Sequence, residues 1–264
     1  MIFLYVLFFI GILIASIQDI RRREVDNYIN FFLLASGLVY IVFLGIFNDY
    51  NLILLGLLAF VVMFLLANLF YYSRIFAGGD AKLMIALSAL FVAASIKLTL
   101  INIGIFLVFL IISGSVYGIL YSVYLVSSHY SDFKKDLKKY FWFKYGVAAA
   151  VVLFVFSYFN LFFLLLAIFA LFPVLFAVAK SIENVCMIKE ISGKELREGD
   201  WIAQEVSFKG KKIKPDWEGL TKKQVLFLSK IKKIKVKEGL PFVPAFLIAF
   251  IFYYFKDYFF GLVI

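Results

Sequence analysis

Apolar runs of roughly 17–25 residues, broken by short polar clusters, recur along this chain, and each is long enough to cross a hydrocarbon core ~30 Å thick. MIFLYVLFFIGILIASI, YINFFLLASGLVYIVFLGIF and LILLGLLAFVVMFLLANLFYY follow one another with only a few polar residues between them. No water-facing surface could absorb this load: 64% of the 264 residues are hydrophobic, against about 45–50% in a soluble domain. The pattern predicts an all-α polytopic membrane protein and removes soluble fold classes from consideration for most of the chain. The first run has no A-x-A-like cleavage site and passes straight into an arginine cluster, so it is read as a retained span rather than a removed signal peptide.

Span one is expected over Met1–Ile17, span two over Tyr28–Phe47 and span three over Leu52–Tyr72. Span four begins at Ala81 and ends near Ser95, and span five covers Ile101–Val126. Residues 145–179 as one helix would be about 52 Å long at 1.5 Å per residue, too long for a single crossing without severe tilt. Asn160, in FSYFNLFF, is the best place to fold this stretch into a hairpin. The expected organisation is therefore helices one to five in 1–126, a basic cytoplasmic loop in 127–144, a transmembrane hairpin in 145–180, a small cytoplasmic α+β domain in 181–239 and a last transmembrane helix in 240–264. That makes eight spans, with six or seven as alternatives.

Charge gives an independent check on this arrangement. With Asp19 facing the cytoplasm, only Lys97 and Lys256 among the 27 Lys and Arg fall on the other side, as the positive-inside bias requires. In the exposed domain, Thr221 followed three residues later by Gln224 matches a capping box, while WIAQEVSF and KIKVK alternate like short strands. That domain contains no P-loop, GxGxxG or His/Cys cluster, and reads as a structural or docking module.

A net charge of +10 would suggest nucleic acid in a soluble protein. Here the lysines are expected to set topology and meet the anionic lipid of the bilayer instead, so no nucleic-acid partner is expected. The single cysteine, Cys186, leaves no internal disulfide and no Cys-rich zinc site, and the single histidine, His129, leaves no His-based metal site. No metal and no cofactor are expected. The basic, aromatic FKKDLKKYFWFK suits the membrane interface, and Asn68 and Asn102 are read as bridges between helices.

Against this apolar background two aspartates are conspicuous. Asp19 sits at the cytoplasmic end of span one and Asp80, in FAGGDAKL, at the cytoplasmic start of span four. Each alone could be an ordinary helix-end carboxylate, and Asp80 would be favoured by the helix macrodipole in any case. Together they reach one membrane face, where ionisable residues are functional candidates by default. Two carboxyl groups a few ångströms apart cannot both ionise easily. One can then take a proton from water while its protonated partner polarises a peptide carbonyl, which is aspartyl proteolysis. Gly78 and Gly79 would let a substrate backbone approach the acid closely.

FAGGDAKL resembles the GxGD signature of the type IV prepilin peptidases, and IQDIRRREVDN resembles their first-aspartate segment, D-x5-[IV]-x-N. KEGLPFVPAFLIAF after a lysine-rich domain is similar to the archaeal branch, which includes the preflagellin peptidases. The resemblance implies catalytic helices within 1–126, catalytic Asp19 and Asp80, and pilin- or archaellin-type precursors whose short basic leader is cut at the cytoplasmic face. Glu24 and Asp26 could attract that leader, or could simply pair with Arg21–Arg23. The strict motif is broken at Ala77, which stands where the family has its first glycine. One cysteine cannot build the Cys-tetrad zinc domain of many bacterial relatives, so peptidase activity alone is implied. Two other readings compete with this one. A presenilin-like intramembrane aspartyl protease also uses GxGD, but its first acid normally follows a tyrosine, and here Gln18 precedes Asp19. An ion- or proton-coupled transporter would be expected to show an internal repeat with broken helices in matching halves, and the sequence has neither.

Overall fold

The computed structural model describes residues 2–208, 211–216 and 219–261. Met1, which opens the expected first span, and 262–264, which close the expected last one, lie outside these residues. In chain order the elements are α1 (Ile2–Arg22), α2 (Asn27–Phe47), α3 (Asn51–Tyr72), α4 (Gly78–Ala86) continued by a 3-10 turn over Leu87–Phe91, α5 (Ile96–Ser128), α6 (Tyr130–Leu137), α7 (Trp142–Phe156) and α8 (Leu161–Ser181). A π-helical turn over Ile182–Cys186 leads to β1 (Ile188–Ile191), β2 (Trp201–Ile202), β3 (Val206–Phe208), β4 (Lys211–Ile213), α9 (Lys222–Leu228), β5 (Ile234–Lys237), α10 (Val243–Tyr254) and α11 (Lys256–Phe260). Among the described residues five helices are long and apolar enough to cross a membrane, or six if α6 and α7, bent by 86°, are one span. The chain is thus a mostly helical, multi-pass membrane protein with a small sheet region.

Two compact units are present: residues up to Ile119 together with those from Leu240, and Leu120–Gly239. In the first, α1 buries Leu4, Phe8, Gly11, Ile12, Ala15, Ser16 and Asp19 as one stripe, while Ile2, Phe3, Val6 and Ile10 on its other side stay exposed. Inside lipid no hydrophobic drive presses helices together, so close approach at small residues does that work. A β-carbon at Gly11 would lie 2.5 Å from Leu33, one at Gly37 2.7 Å from Ala89, and one at Gly56 2.6 Å from Ile41.

α10 runs antiparallel to α1. Its start meets Asp19 through Val243, and its end packs Phe250, tilted, and Tyr254, edge-on, against Tyr5, with ring centroids 6.0 and 5.2 Å apart. α4 runs alongside α2 in the same direction, since Lys82 reaches Asn27 at one end and Ala89 lies against Gly37 farther in. The 3-10 turn ends on Phe91, which packs edge-on to Tyr253 of α10 at 5.3 Å.

The last apolar segment is shorter than the sequence suggested, and the fourth is placed and built differently. The expected fourth span is a nine-residue helix plus a five-residue 3-10 turn, rising about 23 Å in all. The expected last span holds twelve residues in α10 before the chain breaks at Phe255, a rise of about 18 Å.

In the second unit α7 and α8 form an antiparallel helical pair, with Val174 of α8 seated over Gly146 of α7. Asn160 caps α8 by accepting the Phe162 N–H at 2.9 Å. β5 lies between β1 and β2 in an antiparallel three-stranded sheet, and β3 pairs with β4. Leu196, Ile202, Leu220, Leu228, Ile234 and Val236 form a separate small core there. Thr221 and Gln224 close a capping box at the start of α9.

Candidate active site

Asp19 ends the buried stripe of α1 and is itself only 7% exposed. Its carboxylate accepts the backbone N–H of Val243 at 2.9 Å, across 224 positions of sequence. That amide belongs to the first turn of α10, where N–H groups lack intrahelical partners, so each group satisfies the other. One turn past Asp19, α1 stops as Arg23 enters the left-handed region at φ 56° and returns its N–H to the Asp19 carbonyl at 2.9 Å.

Asp80 is 8% exposed and lies in the first turn of α4. Its carboxylate accepts the Ala77 N–H at 3.1 Å. This is the acid's half of a capping box; alanine has no side-chain acceptor to supply the other half. Ala77 adopts φ −71° and ψ 163°, backbone open to any residue, so alanine is unstrained at a position where the motif has glycine. Asp19 and Asp80, far apart in sequence, lie close enough for their charges to interact.

The two glycines before Asp80 are half-buried, with open space where a side chain would point. A β-carbon at Gly79 would meet nothing within 4 Å, and one at Gly78 only the Tyr71 ring at 3.8 Å. Neither takes a positive φ, so what glycine supplies here is a bare first turn beside a buried acid. Lys82, two residues on, donates to the Asn27 side chain at 2.8 Å, linking the two segments that carry the aspartates.

Asp26 is held inside its own loop. It accepts from Gln18 Nε2 at 2.8 Å and Arg22 Nη2 at 2.9 Å, and its N–H donates to Gln18 Oε1 at 3.1 Å. Glu24 is exposed. Sequence reasoning missed the contribution of Phe242, Val243 and Phe76: the Phe76 ring, just before the glycines, lies 5.5 Å from that of Phe242 and 5.7 Å from that of Phe246. KEGLPFVP enters the sequence reading as the start of a span and as part of the archaeal resemblance, but not for what a proline at a helix start marks, a first turn with amides to offer.

The model of the type IV leader peptidase family matches residues 6–123. Preflagellin peptidases of Methanococcus maripaludis, Methanocaldococcus jannaschii and Methanococcus voltae are 37%, 35% and 32% identical over 87, 82 and 87 residues. These stretches make up 33%, 31% and 33% of this chain and 37%, 35% and 37% of the relatives. The chain thus spans little more than a third of the length of the curated relatives it matches. No solved structure matches it. The stretch that resembles the type IV leader peptidase family, residues 6–123, includes both Asp19 and Asp80.

Proposed function

We propose that this chain is a membrane-embedded aspartyl endopeptidase that removes the short basic leader from archaellin- or type IV pilin-like precursors at the cytoplasmic membrane face. The observation that carries the proposal is that Asp19, at the end of α1, and Asp80, at the start of α4, are both buried and lie within range of each other's charge. The family match over residues 6–123 and the preflagellin peptidase relatives support the substrate class. The concentration of Lys and Arg on the Asp19 side supports the orientation.

In the reaction the ionised member of the pair takes a proton from water as its oxygen attacks the scissile carbonyl carbon. The protonated member gives its proton to the carbonyl oxygen. Collapse of the tetrahedral intermediate breaks the C–N bond, and the leaving amine takes up a proton from the pair. The scissile bond lies over the bare turn at Gly78 and Gly79. Glu24, which is exposed, meets the basic leader, while Asp26 holds its loop through Gln18 and Arg22. α7 and α8 form a transmembrane hairpin, and 181–239 is a cytoplasmic docking module.

Purified protein mixed with an archaellin precursor, and separately with a pilin precursor, tests this by mass spectrometry of the products. Wild type is expected to release the leader with or without a zinc chelator, and Asp19→Asn and Asp80→Asn to release none. Cleavage that survives either substitution rejects the dyad.

A further inference from the structure

We propose that the first turn of α10 is a bracket that sets the separation of the Asp19 and Asp80 carboxyl groups, so that Val243 and Phe242 are positioning residues for the reaction. As a statement about catalysis this rests on the protease reading; as a statement about geometry it does not.

The turn holds both acids by different means. The Val243 N–H is bonded to the Asp19 carboxylate at 2.9 Å. Phe242 and Phe246 pack on Phe76, with centroids 5.5 and 5.7 Å apart. Phe76 leads directly into Ala77, whose N–H holds the Asp80 carboxylate at 3.1 Å.

The bracket is itself anchored to α5. Ser113 Oγ donates to the Ala245 carbonyl at 3.0 Å in a buried contact. The Phe242 ring sits over Gly114, where an added β-carbon would come within 2.7 Å of it. Val243 and Ala245 are buried, so the turn has no room to drift. An anchor that touches one acid directly, and the other through the loop that presents it, fixes their spacing. It also comes from outside residues 6–123, where the family match lies: α10 completes a site whose acids both lie in the first third of the chain.

The separation can be read without enzyme activity. In a Cys186→Ala background, Ile20→Cys and Ala77→Cys, exposed positions beside the two acids that leave both carboxylates in place, are introduced together and bridged with bis-methanethiosulfonate linkers of graded length. The profile is then compared before and after Gly114→Ala, which displaces Phe242, and Phe242→Ala, which removes its contact with Phe76 without adding bulk. Both changes are expected to move the best-bridging length and to slow bridging several-fold. In the chain without the added cysteines, Gly114→Ala is expected to lower kcat for precursor cleavage ~10²-fold, the scale for a misplacement of about 1 Å. Adding Phe242→Leu, which makes room for the new methyl, is expected to recover most of that loss. A linker profile unchanged in Phe242→Ala overturns the bracket, whether or not Gly114→Ala folds. Absence of any precursor cleavage by wild type refutes the protease reading and leaves the linker result to decide the geometry.

Discussion

Gly79→Ala separates what glycine does for the fold from what it does for a substrate. Gly79 is the second residue of α4, is not in a positive-φ conformation, and a β-carbon there meets nothing within 4 Å. The fold therefore accepts the methyl group, and alanine favours a helix over glycine by up to about 1 kcal/mol. The midpoint of thermal unfolding in detergent should hold or rise. If the scissile peptide lies on this bare turn, however, the methyl group lifts it from Asp80. A shift of about 1 Å costs ~10²-fold, so kcat/KM should fall by that factor, a loss of about 2.7 kcal/mol in transition-state stabilisation. Gly104→Ala and Gly118→Ala in α5 are matched controls, since β-carbons there also meet nothing within 4 Å, and both should cleave as wild type does. The assay is precursor cleavage at several substrate concentrations beside a thermal melt of the same preparation. Wild-type kcat/KM in Gly79→Ala would refute the idea that the substrate uses this turn.

Three further outcomes are expected. Asn30 is buried in α2 with neither polar side-chain atom hydrogen-bonded among the described residues; Asn30→Leu removes an unsatisfied amide worth about 1–3 kcal/mol and should raise the melting midpoint. Thr221→Ala removes the cap of α9 at a cost of about 1 kcal/mol, seen as faster amide exchange in Lys222–Leu228 while leader cleavage is unchanged. Asp26→Ala frees Gln18 and Arg22 and should increase proteolytic nicking of the 23–26 loop, whereas Glu24→Gln should leave nicking unchanged and raise KM for precursors with the most basic leaders.

The membrane class was legible because the lengths of the apolar runs alone decide it. Which side of each helix faces inward was not, because in lipid the outer surface is as apolar as the core. In α1, Ile2, Phe3 and Val6 are exposed while Leu4, Phe8 and Ile12 are buried, and no hydrophobic period tells them apart. The interior is marked by Gly11, Ala15 and Ser16, a signal of size rather than polarity. The segment from Asp80 carries the same ambiguity. Leu87–Phe91 is buried throughout, so its apolar residues record packing among helices and not a depth of hydrocarbon. In the small sheet, alternation was informative because one face meets water: Ile234 and Val236 are buried while Lys235 is exposed. WIAQEVSF read as one strand region, yet it forms β2 and β3, which pair with different partners. The two acids were legible as rare carboxylates in an apolar chain. The Val243 contact was not, because a backbone amide looks the same at every position.

The brevity of α10 bears on the lipid itself. A twelve-residue helix offers a hydrophobic wall of about 18 Å to tails that ordinarily fill ~30 Å. Along the side where Ile248, Ile251 and Phe252 are exposed, the acyl chains must splay or shorten to meet it, drawing headgroups and water inward. A cationic leader could then approach the buried acids through a dimple in the leaflet without being dragged into oil, and the turnover of this protein would follow the tail length of the lipids around it.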